Sequence, residues 1–207
     1  MVNHVCWSDI HMKPYVLRAA QVACEEYCFL HIPEAQQLAW LHQMFFPEQG
    51  SECVYLKLGT RSYSVTNPCF WQHIKMMMGC GSLMANLSLY DNLLLPSLYH
   101  GYDVSSEKVQ EVIYMLDLKD SCYEQAGERH AEMHARITLG QCLLHPPKMI
   151  VIQDICTSLS VLKKDLFYEL LQMTLDETGA GLCYVSSSES VSLPIHFPHY
   201  LMLEPTC

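Results

Sequence analysis

The stretch that most limits the fold of this chain is Met149-Ile150-Val151-Ile152, a short unbroken apolar run closing on Gln153-Asp154. Continuous β-prone runs of this length predict a strand covered on both faces of a parallel sheet. A second such run, Gly181–Val185, follows a helical segment at Val161–Met173. In open α/β folds the ligand crevice lies at the carboxyl ends of such strands. At that point the first run offers a neutral amide, then a carboxylate.

The chain has 207 residues, enough for one domain with a full core. Half of them are hydrophobic and 16% are charged, a globular composition that argues against disorder. The net charge of −10, with only 12 Lys plus Arg, excludes a nucleic-acid surface, which needs concentrated positive charge. No apolar run approaches the roughly 20 residues of a membrane helix. The start, MVNHVCWSDIHMK, lacks the plan of a signal peptide. Eleven cysteines without a CxxC pair then read as reduced cytosolic thiols packed as small hydrophobes. Cys24 and Cys28 have helical spacing, but their segment reads better as a strand.

Along the chain, Glu26–His31 reads as a strand and Glu34–Phe46 as a helix, with Leu38, Leu41 and Phe45 at helical spacing. Pro47-Glu48-Gln49-Gly50 stops that helix. Cys53–Leu58 reads as a strand, and residues 60–75 give no clear pattern. Met76 to Gly101 is rich in Met and Leu and carries few charges. Ser105 or Ser106 can cap a helix through Leu116, with Val109, Val112, Ile113 and Leu116 facing inward. A helix over His130–Leu144 and a short strand at Tyr200–Leu203 complete the pattern. Strands alternating with helices predict an α/β layered fold with a largely parallel sheet.

The order of these pieces resembles the closing half of an ABC transporter ATP-binding domain. Leu143-Leu144-His145-Pro146-Pro147-Lys148 resembles the approach to that family's Walker B strand, and Cys156-Thr157-Ser158-Leu159 the stretch after it. Upstream, Gly81-Ser82-Leu83 and Leu87-Ser88-Leu89-Tyr90-Asp91-Asn92 through Leu95-Pro96 resemble the region after the Q-loop. The Gly-Ser-Leu form looks most like the branch serving bacterial lipid-trafficking permeases. The resemblance covers about residues 25–205. It implies a P-loop NTPase-like fold in one domain, residues 1–207, with an α/β core at about 1–78 and 145–207 and a helical subdomain at about 79–144.

Against the family pattern, the chemical stations are altered one after another. A phosphate loop reads G-x-x-x-x-G-K-[ST], because open backbone amides cradle phosphate and Lys adds charge. Here Pro33-Glu34-Ala35 stands where Gly-Lys-Ser belongs. Pro33 removes an amide donor and Glu34 reverses the charge; each unit-charge pair is worth about 4 kcal/mol at roughly 4 Å and an effective dielectric of about 20, so the reversal costs several kcal/mol. The resemblance puts Gly79 at the Q-loop glutamine, Arg129-His130-Ala131-Glu132-Met133 at the signature and Gln153 at the Walker B aspartate. Asp154 falls at the glutamate that polarises water, one methylene shorter than the family's residue; a one-residue shift instead makes Asp154 the metal acid with Ile155 at the base, and either register leaves an incomplete site. Ser160 falls at the D-loop aspartate and Ser187 at the switch histidine, while Arg136 matches an arginine common after the signature.

Each bright spot has a plainer reading. Gln153 and Asp154 can bind magnesium weakly or merely cap a buried strand by hydrogen bonding. His130 and His134 share a helical face but lack the metalloprotease order, which leaves them weak metal candidates with His196 or His199 as further ligands. Ser186-Ser187-Ser188 lacks the glycines of a nucleophile elbow. Met76-Met77-Met78 reads as core or interface filler. Leu83, Met84, Leu87 and Tyr90 are ordinary core or an exposed apolar surface, and in the resembled family this region borders the groove that receives the permease.

The expectation is a degenerate, non-catalytic ATP-binding-like subunit without a cofactor, its binding of ATP and magnesium weak or absent. It would sit in the cytoplasm, peripherally on the inner face of a membrane. Its partners would be an integral-membrane permease and an active ATP-binding subunit or a second copy, with lipid transport as the role. Two alternatives stay open: a weakly active or nucleotide-sensing ATPase, and a metal- or thiol-binding cytosolic module.

Overall fold

The computed structural model describes residues 3–12, 15–48, 52–78, 83–127, 131–153, 161–187 and 195–205, with backbone only at 131, 161, 162 and 205. The elements run β1 (His4–Trp7), β2 (Ile10–Met12), β3 (Tyr15–Leu17), β4 (Ala20–Ala23), β5 (Tyr27–His31), α1 (Glu34–Phe45), β6 (Val54–Leu58), β7 (Arg61–Ser64), α2 (Pro68–Trp71), β8 (Ile74–Met77), α3 (Leu89–His100), α4 (Ser106–Met115), α5 (Ala131–Leu144), β9 (Met149–Gln153), α6 (Val161–Thr178), β10 (Gly181–Ser186), β11 (His199–Met202) and β12 (Glu204–Pro205). They form two compact units.

The first unit comprises Met1–Met76, Lys148–Asp154 and Ala180–Cys207. Its centre is a five-stranded sheet in the order β11-β5-β10-β9-β8. β10 pairs parallel with both β5 and β9, and β11 pairs parallel with β5. Every residue of β10 is buried, as are the first four of β9, as two apolar runs covered on both faces require. At the entry to β10 the chain presses against the β4–β5 turn. A Cβ on Gly181 would lie 2.6 Å from the carbonyl oxygens of both Cys24 and Glu26, so only glycine fits. Two antiparallel sheets, β4-β1-β6-β7 and β12-β3-β2, complete the unit. Their strands are short, and the three-residue pieces around Ile10 and Tyr15 carry too little alternation to read from sequence.

On α1 the buried face is Gln37, Trp40, Leu41, Met44 and Phe45, whereas Leu38 is 58% exposed. The helix is therefore turned by one residue from the face expected through Leu38. Trp40 supplies the anchor, being 1% exposed.

The second unit, Met77–Pro147 and Ile155–Gly179, holds α3, α4, α5 and α6. The grouping takes in Val161–Thr178, which the sequence reading places with the α/β core. Ser88 and Ser105 cap α3 and α4, each hydroxyl oxygen accepting from the backbone amide three residues on. Val109, Val112, Ile113 and Leu116 are all buried. Pro96 lies inside α3 and lacks the N–H that would bond the carbonyl of Asn92. That carbonyl instead accepts from Gln141 Nε2 of α5 at 2.7 Å, so the helix runs on through the proline. Among the described residues, no helix is long and apolar enough to cross a membrane.

Candidate functional site

The carboxyl end of the parallel sheet is where β5 passes into α1 and where β9 and β10 end. The connection from β5 to α1 is Ile32 and Pro33 alone. Pro33 occupies the N-cap position (φ −52°, ψ 137°) without a side-chain hydrogen bond. Its carbonyl accepts from the Gln36 amide at 2.8 Å, and the Ile32 amide donates to the Ser186 carbonyl at 3.0 Å. A phosphate cradle needs several residues with outward-facing amides between strand and helix. Here the stretch before Pro33 is strand, and Ile32 is fully buried. Glu34 and Ala35 are exposed in the first turn of α1, where the Glu34 charge complements the helix dipole.

Gln153 ends β9 and donates from Nε2 to Gln37 Oε1 at 3.3 Å. Gln37, 4% exposed, donates in turn from Nε2 to the Ile32 carbonyl at 3.1 Å. The polar tip is thus a pair of neutral amides bonded to each other and to the turn. His31 Nδ1 and Gln36 Oε1, also at this end, are buried and have no hydrogen-bond partner among the described residues. Ser187 follows β10 half-buried. Gly79 and Asp154 lie outside the described residues, as do Arg129 and His130. Sequence reading missed Gln37; its signal was a glutamine on the same helical face as Trp40, Leu41 and Met44, where an apolar residue is the rule.

The wider architecture has relatives. No protein-family model matches the chain. An 84-residue stretch is 31% identical to YhcH of Bacillus subtilis (strain 168), an uncharacterized ABC transporter ATP-binding protein; it covers 40% of this chain and 27% of that protein. The match therefore spans about a quarter of that relative's length. Among solved structures, cbiO1 from Clostridium perfringens, part of the ABC transporter complex cbiONQ, aligns over 98% of this chain and 84% of its own. The TM-score is 0.73 at 9% identity. This chain shares its fold with the ATP-binding cassettes of ABC transporters. A second cassette, the ADP conformation of MJ1267, an ATP-binding cassette of an ABC transporter, aligns over 97% of this chain and 89% of its own, with TM-score 0.66 and 13% identity.

Of the segment Arg129–Met133 expected at the signature, the described residues open α5. Glu132 there pairs with Arg136 Nη2 at 2.8 Å and with Lys163 of α6. The Lys163 hydrogen bond, aided by the nearby Arg136 charge, holds the Glu132 carboxyl below the usual range against the opposing effect of burial. Arg136 also donates to the Leu116 carbonyl at 3.1 Å, capping the end of α4. Met133 is half-buried, and so is His134, which has other interactions; its companion His130 falls outside the described residues. Among the described residues, no group of three or more His, Cys, Asp or Glu could hold a metal ion.

Of the docking candidates, Met84 is 52% exposed, and Leu83, Leu87 and Tyr90 are half-buried. Tyr90 stacks on Tyr123 with centroids 5.5 Å apart. The segment is held by Asn92, 1% exposed, whose Oδ1 accepts from the Met84 amide at 2.7 Å. Its Nδ2 donates to the Met84 and Ser88 carbonyls at 3.0 and 2.9 Å. Among the described residues the thiols are mostly interior. Cys28 and Cys183 are direct neighbours across β5 and β10, and Cys28 is held far above the usual thiol range by its hydrogen bond to Cys183 and by burial. Burial pushes Cys24 up to about 11.

Proposed function

We propose that this chain is a non-catalytic ATP-binding-type subunit of an ABC transporter, docked on the cytoplasmic face of a membrane permease. The observation that carries the reading is the strand tip, where Gln153 and Gln37 bond to each other beside a two-residue connection capped by Pro33. Neutral amides that satisfy each other supply neither the charge to hold a magnesium ion nor a base to activate water. Glu34 in the first turn of α1 repels a phosphate at the place where the family pattern needs a lysine.

The partner would be an integral-membrane permease, met through the surface around Met84, Leu87 and Tyr90. An active ATP-binding subunit or a second copy would complete the assembly. Lipid trafficking as the cargo rests on the Gly81-Ser82-Leu83 resemblance. No cofactor is required. The test is gentle extraction from membranes followed by mass spectrometry of what co-purifies. An integral-membrane permease with an ATP-binding subunit carrying an intact phosphate loop supports the reading. Recovery of the chain free of any membrane protein, with magnesium-dependent turnover of its own, overturns it.

A further inference from the structure

We infer that the carboxyl end of the parallel sheet carries its own lock, a neutral hydrogen-bond relay that closes the crevice without ion or ligand. The relay runs from Gln153 Nε2 to Gln37 Oε1 (3.3 Å), from Gln37 Nε2 to the Ile32 carbonyl (3.1 Å), and from the Ile32 amide to the Ser186 carbonyl (3.0 Å). Three bonds therefore join four pieces of chain: the end of β9, the first turn of α1, the β5–α1 connection and the end of β10. The inference deepens the non-catalytic reading by giving that site a conformational control of its own.

Two features make the relay more than a surface contact. Gln37 is buried, and both ends of its amide are engaged, so losing either partner leaves a polar atom unsatisfied in the interior. The Ile32 carbonyl accepts from Gln37 Nε2, which fixes the amide so that its oxygen faces Gln153. Only a donor at residue 153 completes the chain, and glutamine supplies one where a carboxylate has none. Anything that lies between β9 and the start of α1 must first displace the Gln153 amide.

The relay is tested by a double-mutant cycle in urea on the full chain, with Gln37→Leu, Gln153→Leu and the pair. Each single change lowers the folding equilibrium constant, by about 5–50-fold for Gln37 and about 2–10-fold for Gln153. The double variant loses at least about threefold less than the product of the two. Losses that simply multiply overturn the lock. If a variant does not fold, the wild-type carboxamide protons decide. The lock requires those of Gln37 to exchange at least about 100-fold more slowly than in free glutamine; exchange at the free rate overturns it. The non-catalytic reading fails separately. Turnover in a protein whose glutamines are coupled defeats that reading alone, and uncoupled glutamines without turnover defeat the lock alone.

Discussion

Gly181 shows how a single residue sets the position of a strand. Its amide donates to the Cys24 carbonyl at 2.6 Å, and the space for a side chain is taken by two backbone oxygens. Backbone cannot swing aside as a flexible side chain can. Gly181→Ala is expected to cost about 3 kcal/mol, read as a lowered urea midpoint. The thiols make a contrasting case. Cys28 and Cys183 are buried side by side, with the Cys28 thiol held far above the usual range, and they pack as small hydrophobes shielded from reagents. Neither should react with a disulfide reagent at pH 8 until the protein unfolds, and mapping the labelled cysteines by mass spectrometry checks this.

Among the elements, α3 carries the most instructive repair. A proline in mid-helix reads as a break, yet Gln141 fills the bond that Pro96 forfeits. Gln141→Leu should cost about 1–3 kcal/mol, and the loss should shrink when Pro96→Ala restores the helical N–H. Denaturation of the four proteins of that cycle measures both terms. On α5, the depressed pKa of Glu132 stabilises the fold above its unfolded value of about 4.3, and that contribution disappears as pH falls through the folded value. Glu132→Gln should flatten this part of the acid limb of stability against pH.

The same elements explain what could be read beforehand. The buried runs of β9 and β10 and the inward face of α4 carry strong local patterns, and the structure follows them. The strands up to Ala23 are three or four residues long; β2 pairs with the neighbouring β3, but β1 also depends on β6 and β3 on β12, partners far along the chain. Tertiary pairing decides such pieces, and no local period announces them. On α1, Leu41 and Phe45 are buried as their spacing suggests, while Leu38 is exposed because Gln37, a polar residue, takes the inward place and bonds to Gln153 more than a hundred residues away. The candidate site was legible as residue types at strand ends, but its geometry was not. Hydrogen bonds between side chains remote in sequence leave no spacing to recognise.

For the molecule as a whole, the cassette fold and the chemistry at its sheet ends point in different directions. β5, β9, β10 and β11 pair in parallel with β9 and β10 buried almost throughout, and Ser88 and Ser105 cap α3 and α4, while at the strand tip Gln153 bonds to Gln37. On the proposed reading, the fold serves for what it holds in place. Titration of the isolated protein with Mg-ATP by calorimetry, with phosphate release measured on the same sample, tests this most directly. The account predicts no binding tighter than about 10 μM and no phosphate release above background. Robust magnesium-dependent turnover that is lost on Asp154→Ala would contradict it.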